Sequence, residues 1–165
     1  MIKKLLIFDF DGTLIDTKWN TLKQLYKEKT GVEWKIVGFR RNPESLRDDL
    51  FDFQLINETY QDYLSYKGGN DNLKVLLTGR QETLRPQVEH LLNKFDLKFD
   101  KVLLNPGFLD TFAFKLREIN KLIKEYDSIE EIEIWEDRVD HLIKFKEHIY
   151  LHHPTKIIKD NFVKR

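Results

Sequence analysis

Apolar positions along the chain form short unbroken runs, separated by longer stretches in which they recur every three or four residues. The run Leu5 to Phe8 lacks polar alternation, which predicts a strand covered on both faces. Similar runs predict strands at residues 73–78, 99–104 and 132–135. The stretches between them have the spacing of helices that pack on a sheet. Strands that alternate with helices in this way predict an α/β fold with a doubly wound parallel sheet.

The C-terminal part of the chain is predicted to add one helix and one strand. Val139, Leu142 and Ile143 define the buried face of a helix that covers the sheet. Residues 149–151 are then expected to form a short last strand.

A mostly helical insertion is predicted between the first and second strands. Thr17 is the expected cap of its first helix, which Gly31 ends, and Asn42 and Pro43 begin another. The many aromatic residues of the insertion indicate either a small core of its own or an aromatic lid. We expect a single domain, 1–165, with a core of residues 1–17 and 71–165 and a helical cap at 18–70.

Composition excludes several classes of function. Lys plus Arg and Asp plus Glu both total 28, so no net field attracts nucleic acid or a membrane surface. The absence of cysteine removes disulfides, thiolate metal sites and thiol nucleophiles, and it is compatible with the cytoplasmic location that we expect. The N-terminal apolar run is too short for a signal peptide, and no later run is long enough to span a membrane.

Two carboxylates, Asp9 and Asp11, directly follow the first strand, and Gly12 permits a sharp bend after them. In open α/β sheets, ligands bind at the C-terminal ends of the strands, so this position is typical of a functional site. Two carboxylates so close together repel each other, and the usual remedies are a raised pKa or a bound cation. The alternative is a strand followed by an ordinary acidic turn.

Other polar residues are predicted at the same edge of the sheet: Thr78, Lys115 and the pair Glu136-Asp137. The hard oxygen ligands favour Mg²⁺, and Thr78, Lys115 and nearby backbone N–H groups are suited to hold phosphoryl oxygens. These residues predict phosphoryl transfer to a carboxylate. The alternatives are that Thr78 is an ordinary strand-end hydroxyl, that Lys115 is a solvated lysine, and that Glu136-Asp137 is an acidic helix N-terminus.

The ordered set Asp9-x-Asp11-Gly-Thr, Leu-Leu-Thr78, Lys115 and Glu136-Asp137 resembles the four motifs of the haloacid dehalogenase (HAD) superfamily of phosphohydrolases, which have a Rossmann-like core. The resemblance implies that Asp9 is a nucleophile that forms an aspartyl-phosphate. Asp11 then protonates the leaving oxygen and later deprotonates water. It also implies that Mg²⁺ binds the Asp9 carboxylate, the Asp11 backbone carbonyl and Asp137, with Glu136 behind Asp137.

A narrower resemblance links the chain to the phosphatase-like domain of Swiss Army Knife RNA repair proteins. It is carried by Leu-Leu-Thr78-Gly79-Arg80, by residues 111–115 and by residues 134–141, and Glu44-Ser45-Leu46-Arg47 in the insertion fits it loosely. It implies that Arg80 and Arg138 flank the pocket and engage a second phosphate or a nucleic-acid end; the alternative is that both form salt bridges. The expected substrate-binding residues are Gly12, Gly79, Arg80 and Arg138.

The predicted function is therefore hydrolysis of a phosphomonoester, and the substrate is a small phosphate ester, a nucleotide or a nucleic-acid end. Arg40, Arg41 and Arg47 with Trp34 and Phe39 favour polynucleotide ends if they line the mouth of the pocket. A closing lid favours small molecules. The alternative is a scaffold without activity that binds a partner through the aromatic insertion.

Overall fold

The computed structural model describes residues 1–35, 37–66, 69–107 and 109–164. Strands and helices alternate along most of the chain, and short 3-10 helices cover Phe39–Arg41, Pro43–Leu46 and Glu82–Leu84. In chain order, the strands and α-helices are β1 (Lys4–Phe8), β2 (Ile15–Asp16), α1 (Leu22–Thr30), β3 (Gln54–Leu55), α2 (Asn57–Ser65), β4 (Asn72–Gln81), α3 (Arg85–Lys94), β5 (Lys101–Asn105), α4 (Thr111–Glu125), β6 (Glu131–Glu136), α5 (Val139–His152) and β7 (Ile157–Phe162).

The centre of the molecule is a parallel sheet with the strand order β5-β4-β1-β6-β7. Side chains of β1 alternate between its two faces. Leu5 and Ile7 pack with residues of α4 and α5, whereas Leu6 and Phe8 pack with α3 and the insertion. The predicted α/β fold with a doubly wound parallel sheet is confirmed. Both faces are buried, which explains the unbroken apolar runs in the sequence.

The insertion contains α1, α2, two of the 3-10 helices and β3, which pairs antiparallel with β2 just before the insertion. Its buried aromatic residues, including Phe39, Phe51 and Tyr63, belong to the same apolar cluster as Phe8 of the sheet. The described part of the insertion therefore packs as a continuation of the main core. The division of the chain into a core and a cap stays a prediction. The sequence Gly68-Gly69-Asn70 predicts the end of the last helix of the insertion, and Gly68 of that segment lies outside the described residues.

Two predictions near the C-terminus were wrong. Residues 149–151 belong to α5, and the last strand is β7. Val139 and Ile143 are half exposed, because the buried stripe of α5 instead runs through Leu142, Phe145 and Ile149. The three-, four- and seven-residue spacing of this stripe continues the helix across the segment that we had assigned to a strand.

The predicted cap at Thr17 was also wrong. Thr21 precedes α1, and the Thr17 hydroxyl lies 2.6 Å from Asp11 Oδ1, to which it donates a hydrogen bond. Gly31 ends α1 in the left-handed conformation, as predicted. Asn42 begins a 3-10 helix, where its side chain accepts a hydrogen bond from the Glu44 N–H group. Among the described residues, we find no helix both long enough and apolar enough to cross a bilayer.

Candidate active site

The turn after β1 directs two carboxylates into a cleft at the C-terminal edge of the sheet. The Asp9 N–H group donates to the Trp135 carbonyl at 3.0 Å, which extends the β1–β6 pairing to Asp9. Gly12 then adopts a φ of +71°, a conformation that favours glycine, and its N–H group donates to the Ile15 carbonyl. The tight turn leaves Asp9 and Asp11 at the edge of the sheet, and both line the cleft.

Lys115 connects two carboxylates from different strands. It lies near the start of α4, whose first turn is capped by Asp110. The Lys115 Nζ atom lies 2.7 Å from Asp9 Oδ1 and 2.7 Å from Glu136 Oε2. Only 3% of Lys115 is exposed, so it is not a solvated helix lysine.

Three carboxylates lie close together here, and Lys115 contacts two of them. One oxygen from each of Asp9, Glu136 and Asp137 lies within 4.8 Å of the others. Burial and the Glu136 carboxylate raise the pKa of Asp9 to about 8, although Lys115 opposes the shift. Burial would lower the pKa of Lys115, but Asp9 and Glu136 hold it above its usual value. The donor set, with hard oxygen ligands and excess negative charge, fits a divalent cation such as Mg²⁺.

Asp11 is held separately by a two-pronged ion pair with Arg80. Arg80 Nε donates to Asp11 Oδ2 at 2.9 Å and Arg80 Nη2 donates to Asp11 Oδ1 at 2.7 Å. Burial would raise the pKa of Asp11, but Arg80 and the Thr17 hydroxyl hold it below its usual range. The negative charge of Asp11 is therefore balanced by Arg80, and it does not add to the excess negative charge beside Asp9.

Arg80 also reaches the insertion. Its Nη1 atom donates to Ser45 Oγ at 2.8 Å and to the Arg40 carbonyl. The ring centroid of Trp19 lies 5.1 Å from the Arg80 guanidinium carbon and 4.0 Å from that of Arg40. These contacts join the end of β4 to the insertion at the wall of the cleft.

The structure brings together most of the predicted site residues around a cleft of about 970 Å³. Gly79 also lines it, and a Cβ atom there would lie 2.7 Å from Thr111 Cγ2, so glycine permits the close approach of β4 and α4. The predicted residues in the described lining are Asp9, Asp11, Gly79, Arg80, Lys115, Glu136, Asp137 and Arg138.

Thr78 and Gly12 are not part of this described lining. Thr78 is fully buried, and its hydroxyl accepts a hydrogen bond from the Arg80 N–H group at 3.1 Å. Its predicted contact with phosphoryl oxygens stays a prediction. Arg138 lies at the rim and pairs with Asp140 at 3.0 Å, as the salt-bridge alternative anticipated.

Several site residues were not predicted from the sequence. Thr13 donates a hydrogen bond to Asp9 Oδ2, and its place in the Asp-x-Asp-Gly-Thr motif was the available signal. Trp19 and His141 line the cleft, and the only signal for His141 was its position within the quoted 134–141 motif. The only signal for Ser45 was the loose fit of residues 44–47 to the narrower family, because its contact with Arg80 joins positions that are distant in sequence.

Residues 20–163 match the model of the family described as HAD domain family 1 in Swiss Army Knife RNA repair proteins. An uncharacterized protein of Saccharomyces cerevisiae is 24% identical over 176 residues, which cover 88% of this chain and 36% of the yeast protein. This chain therefore spans well under half of the curated relative that it matches.

Solved structures show the same fold. A chain in the Pnkp1/Rnl/Hen1 complex aligns with a TM-score of 0.57 and 15% identity, covering 99% of this chain and 47% of that chain. A haloacid dehalogenase-like hydrolase from Streptococcus pneumoniae aligns with a TM-score of 0.52 and 13% identity, covering 88% of this chain and 80% of that one. At these identities the likeness concerns the fold.

Proposed function

Because the chain belongs to HAD domain family 1 of the Swiss Army Knife RNA repair proteins, we propose that it is a Mg²⁺-dependent phosphomonoesterase that works through an aspartyl-phosphate on Asp9. Family membership indicates a hydrolase of the phosphoesterase type. The observation that carries the finer proposal is the meeting of Asp9, Lys115 and the Glu136-Asp137 pair at one edge of the sheet. A carboxylate nucleophile beside positive charge is what phosphoryl transfer requires.

The proposed Mg²⁺ ligands are the Asp9 carboxylate, the Asp11 backbone carbonyl and Asp137. Both oxygens of Glu136 already accept hydrogen bonds, one from Lys115 at 2.7 Å and one from the Arg138 N–H group at 3.2 Å. These contacts suit Glu136 as a supporting residue, and the resemblance to the HAD motifs assigns the direct ligand to Asp137. When bound, Mg²⁺ supplies positive charge that reduces repulsion between a carboxylate nucleophile and a phosphate dianion.

The reaction has two steps. In the first, an Asp9 oxygen attacks phosphorus in line and the bond to the leaving oxygen breaks. The leaving oxygen takes a proton from Asp11, which binds that proton when the negative charge of the phosphate approaches and raises the pKa of Asp11 from its lowered value in the free protein. Lys115 stabilises negative charge near the nucleophile. In the second step, Asp11 takes a proton from water, the water oxygen attacks phosphorus, and the Asp9–phosphorus bond breaks to release inorganic phosphate.

Metal dependence is the first test of this proposal. We expect hydrolysis of an aryl phosphate with Mg²⁺, and a fall of at least about 100-fold after chelation, because the carboxylates then repel the phosphate. Release of inorganic phosphate is the measurement, and restored Mg²⁺ should restore the rate. Negligible rates with and without Mg²⁺, equal to those of Asp9→Asn, would favour a scaffold without activity.

A polynucleotide end is the substrate class that we favour within this proposal. Arg40, Arg41 and Phe39 line the cleft, and Trp19 adds an aromatic ring. Such a combination of cations and an aromatic ring suits a phosphate backbone and a stacked base. Arg47 and Trp34 are not among the described residues that line the cleft. Arg47 pairs with Glu44 and Asp49, and Trp34 packs on Phe39.

Arg41→Ala tests this substrate class. Arg41 lies at the exposed mouth, so we expect KM to rise about 5-fold for a phosphorylated oligonucleotide at low salt, with little change for an aryl phosphate. Initial rates on 3′- and 5′-phosphorylated oligonucleotides, mononucleotides and the aryl ester provide the comparison. Arg47→Ala is the matched control, because Arg47 belongs to the same insertion but forms local ion pairs. Equal effects of Arg41→Ala on all substrates would argue against a polynucleotide.

A further inference from the structure

We propose that Ser45, in the insertion, is a positioning residue that orients the Asp11 carboxylate toward the leaving group by fixing Arg80. This inference rests on the proposed function and adds to it a residue from outside the four HAD motifs. Ser45 is fully buried, and its Oγ atom lies 2.8 Å from Arg80 Nη1. Ser45 is not among the described residues that line the cleft, so it acts through Arg80 and not on the substrate.

Ser45 is itself rigidly placed. It lies in the 3-10 helix Pro43–Leu46, which begins with Asn42 as its cap and a proline in its first turn. The Ser45 hydroxyl donates to the Asn42 carbonyl at 2.8 Å, which directs an oxygen lone pair toward Arg80. Leu46, the next residue, is buried in the main apolar cluster. The hydroxyl is therefore a fixed acceptor and not a mobile one.

The geometry of a guanidinium group transmits this restraint. The group is planar, so fixing Nη1 restricts the positions of Nε and Nη2 as well. Ser45 and the Arg40 carbonyl hold Nη1, and the other two nitrogens grip Asp11. Four of the five N–H groups of Arg80 thus have acceptors in the protein. This saturation favours a positioning role for Arg80 over contact with a substrate phosphate.

The hydrogen bonds to Asp11 determine which of its oxygens is left to carry the transferred proton. A carboxylate has about four lone-pair positions. Among the described residues, Oδ1 accepts from Arg80 Nη2 and from Thr17, whereas Oδ2 accepts from Arg80 Nε. The remaining lone pair on Oδ2 is therefore the position for the proton that passes to the leaving oxygen. Loss of the Ser45 contact would leave the Arg80 guanidinium less firmly held, and Asp11 Oδ2 would then be less precisely oriented toward the leaving oxygen.

The test compares leaving groups, because a well-aimed acid matters only when the leaving oxygen needs a proton. A dinitrophenolate leaves readily without one, whereas an alkoxide does not. We expect Ser45→Ala to lower kcat on an alkyl phosphate about 10-fold more than on dinitrophenyl phosphate. Asp11→Asn should show the same dependence more strongly. KM for the two esters should change little, because Ser45 does not contact substrate.

Several comparisons make the test decisive. Ser128→Ala removes a hydroxyl that donates to the Ile2 carbonyl outside the described cleft, and it should act equally on both esters. If Ser45→Ala does not fold, Arg80→Lys keeps a cation but loses the planar fork, and it should give the same dependence on the leaving group. If Ser45→Ala is active and lowers kcat equally on both esters, the proposed role of Ser45 is overturned and the proposed function stands. A wild-type protein that hydrolyses neither ester would overturn the proposed function as well.

Discussion

The Asp9→Asn protein is expected to be at least about 10⁴-fold slower than the wild type on every ester that the wild type hydrolyses. An amide is a poor nucleophile toward phosphorus, and the substitution nearly preserves the size of the side chain. Phosphate release in the presence of Mg²⁺ measures the rate. Rapid acid quenching with labelled substrate should trap protein-bound phosphate in the wild type and none in the variant.

Asp52→Asn is the matched control for this experiment. Asp52 is exposed, and its carboxylate accepts a hydrogen bond from Gln54 at 2.7 Å in the insertion. We expect this variant to hydrolyse the ester at the wild-type rate. If Asp9→Asn kept more than about a tenth of the wild-type rate, Asp9 would not be the nucleophile.

Lys115→Met is expected to have a large effect on both stability and activity. It leaves Asp9 and Glu136 buried without their shared ammonium group, and breaking a buried ion pair in this way costs about 3–5 kcal/mol of unfolding free energy. We also expect kcat to fall about 100-fold or more, because a charge that stabilises the transition state is lost. Urea denaturation and the rate of phosphate release measure the two effects.

Added Mg²⁺ should restore part of the lost stability of Lys115→Met, since a bound cation stabilises the folded state in proportion to the logarithm of its concentration. Lys121→Met on the same helix is the control: Lys121 is exposed and pairs with Glu118, so we expect a change below about 0.5 kcal/mol. A Lys115→Met protein as stable as the wild type would show that Asp9 and Glu136 do not depend on this ammonium group.

The pattern of apolar residues was sufficient to predict the sheet and most of its helices. Buried strands such as β1 lose their alternation, and the stripe of α3 repeats at helical spacing; both signals are local. The last strand, β7, was not predicted from this pattern, because it lies at the edge of the sheet and only Ile158 and Asn161 are partly buried, three residues apart. Its exposed residues, Ile157 and Phe162, gave no clear period.

The candidate site was only partly predictable for a different reason. Asp9, Lys115 and Glu136 could be proposed together because each follows the C-terminal end of a parallel strand, a rule of topology. The partners of Asp11 could not, since Arg80 and Ser45 meet only after the insertion packs on the core. Such contacts are set by tertiary structure, and no spacing in the sequence encodes them.

Because β1 lies at the centre of the sheet, the cleft forms only after distant parts of the chain have been synthesised. Phe8 pairs with Leu76 on one side and with Trp135 on the other, so β1 is not paired on both sides until β6, a much later segment of the chain, has been synthesised. Pairing across such distances is slow. A nascent chain on the ribosome therefore cannot bring Asp9 and Glu136 together until β6 emerges. In a refolding experiment, we expect phosphate release to return when β6 docks on β1.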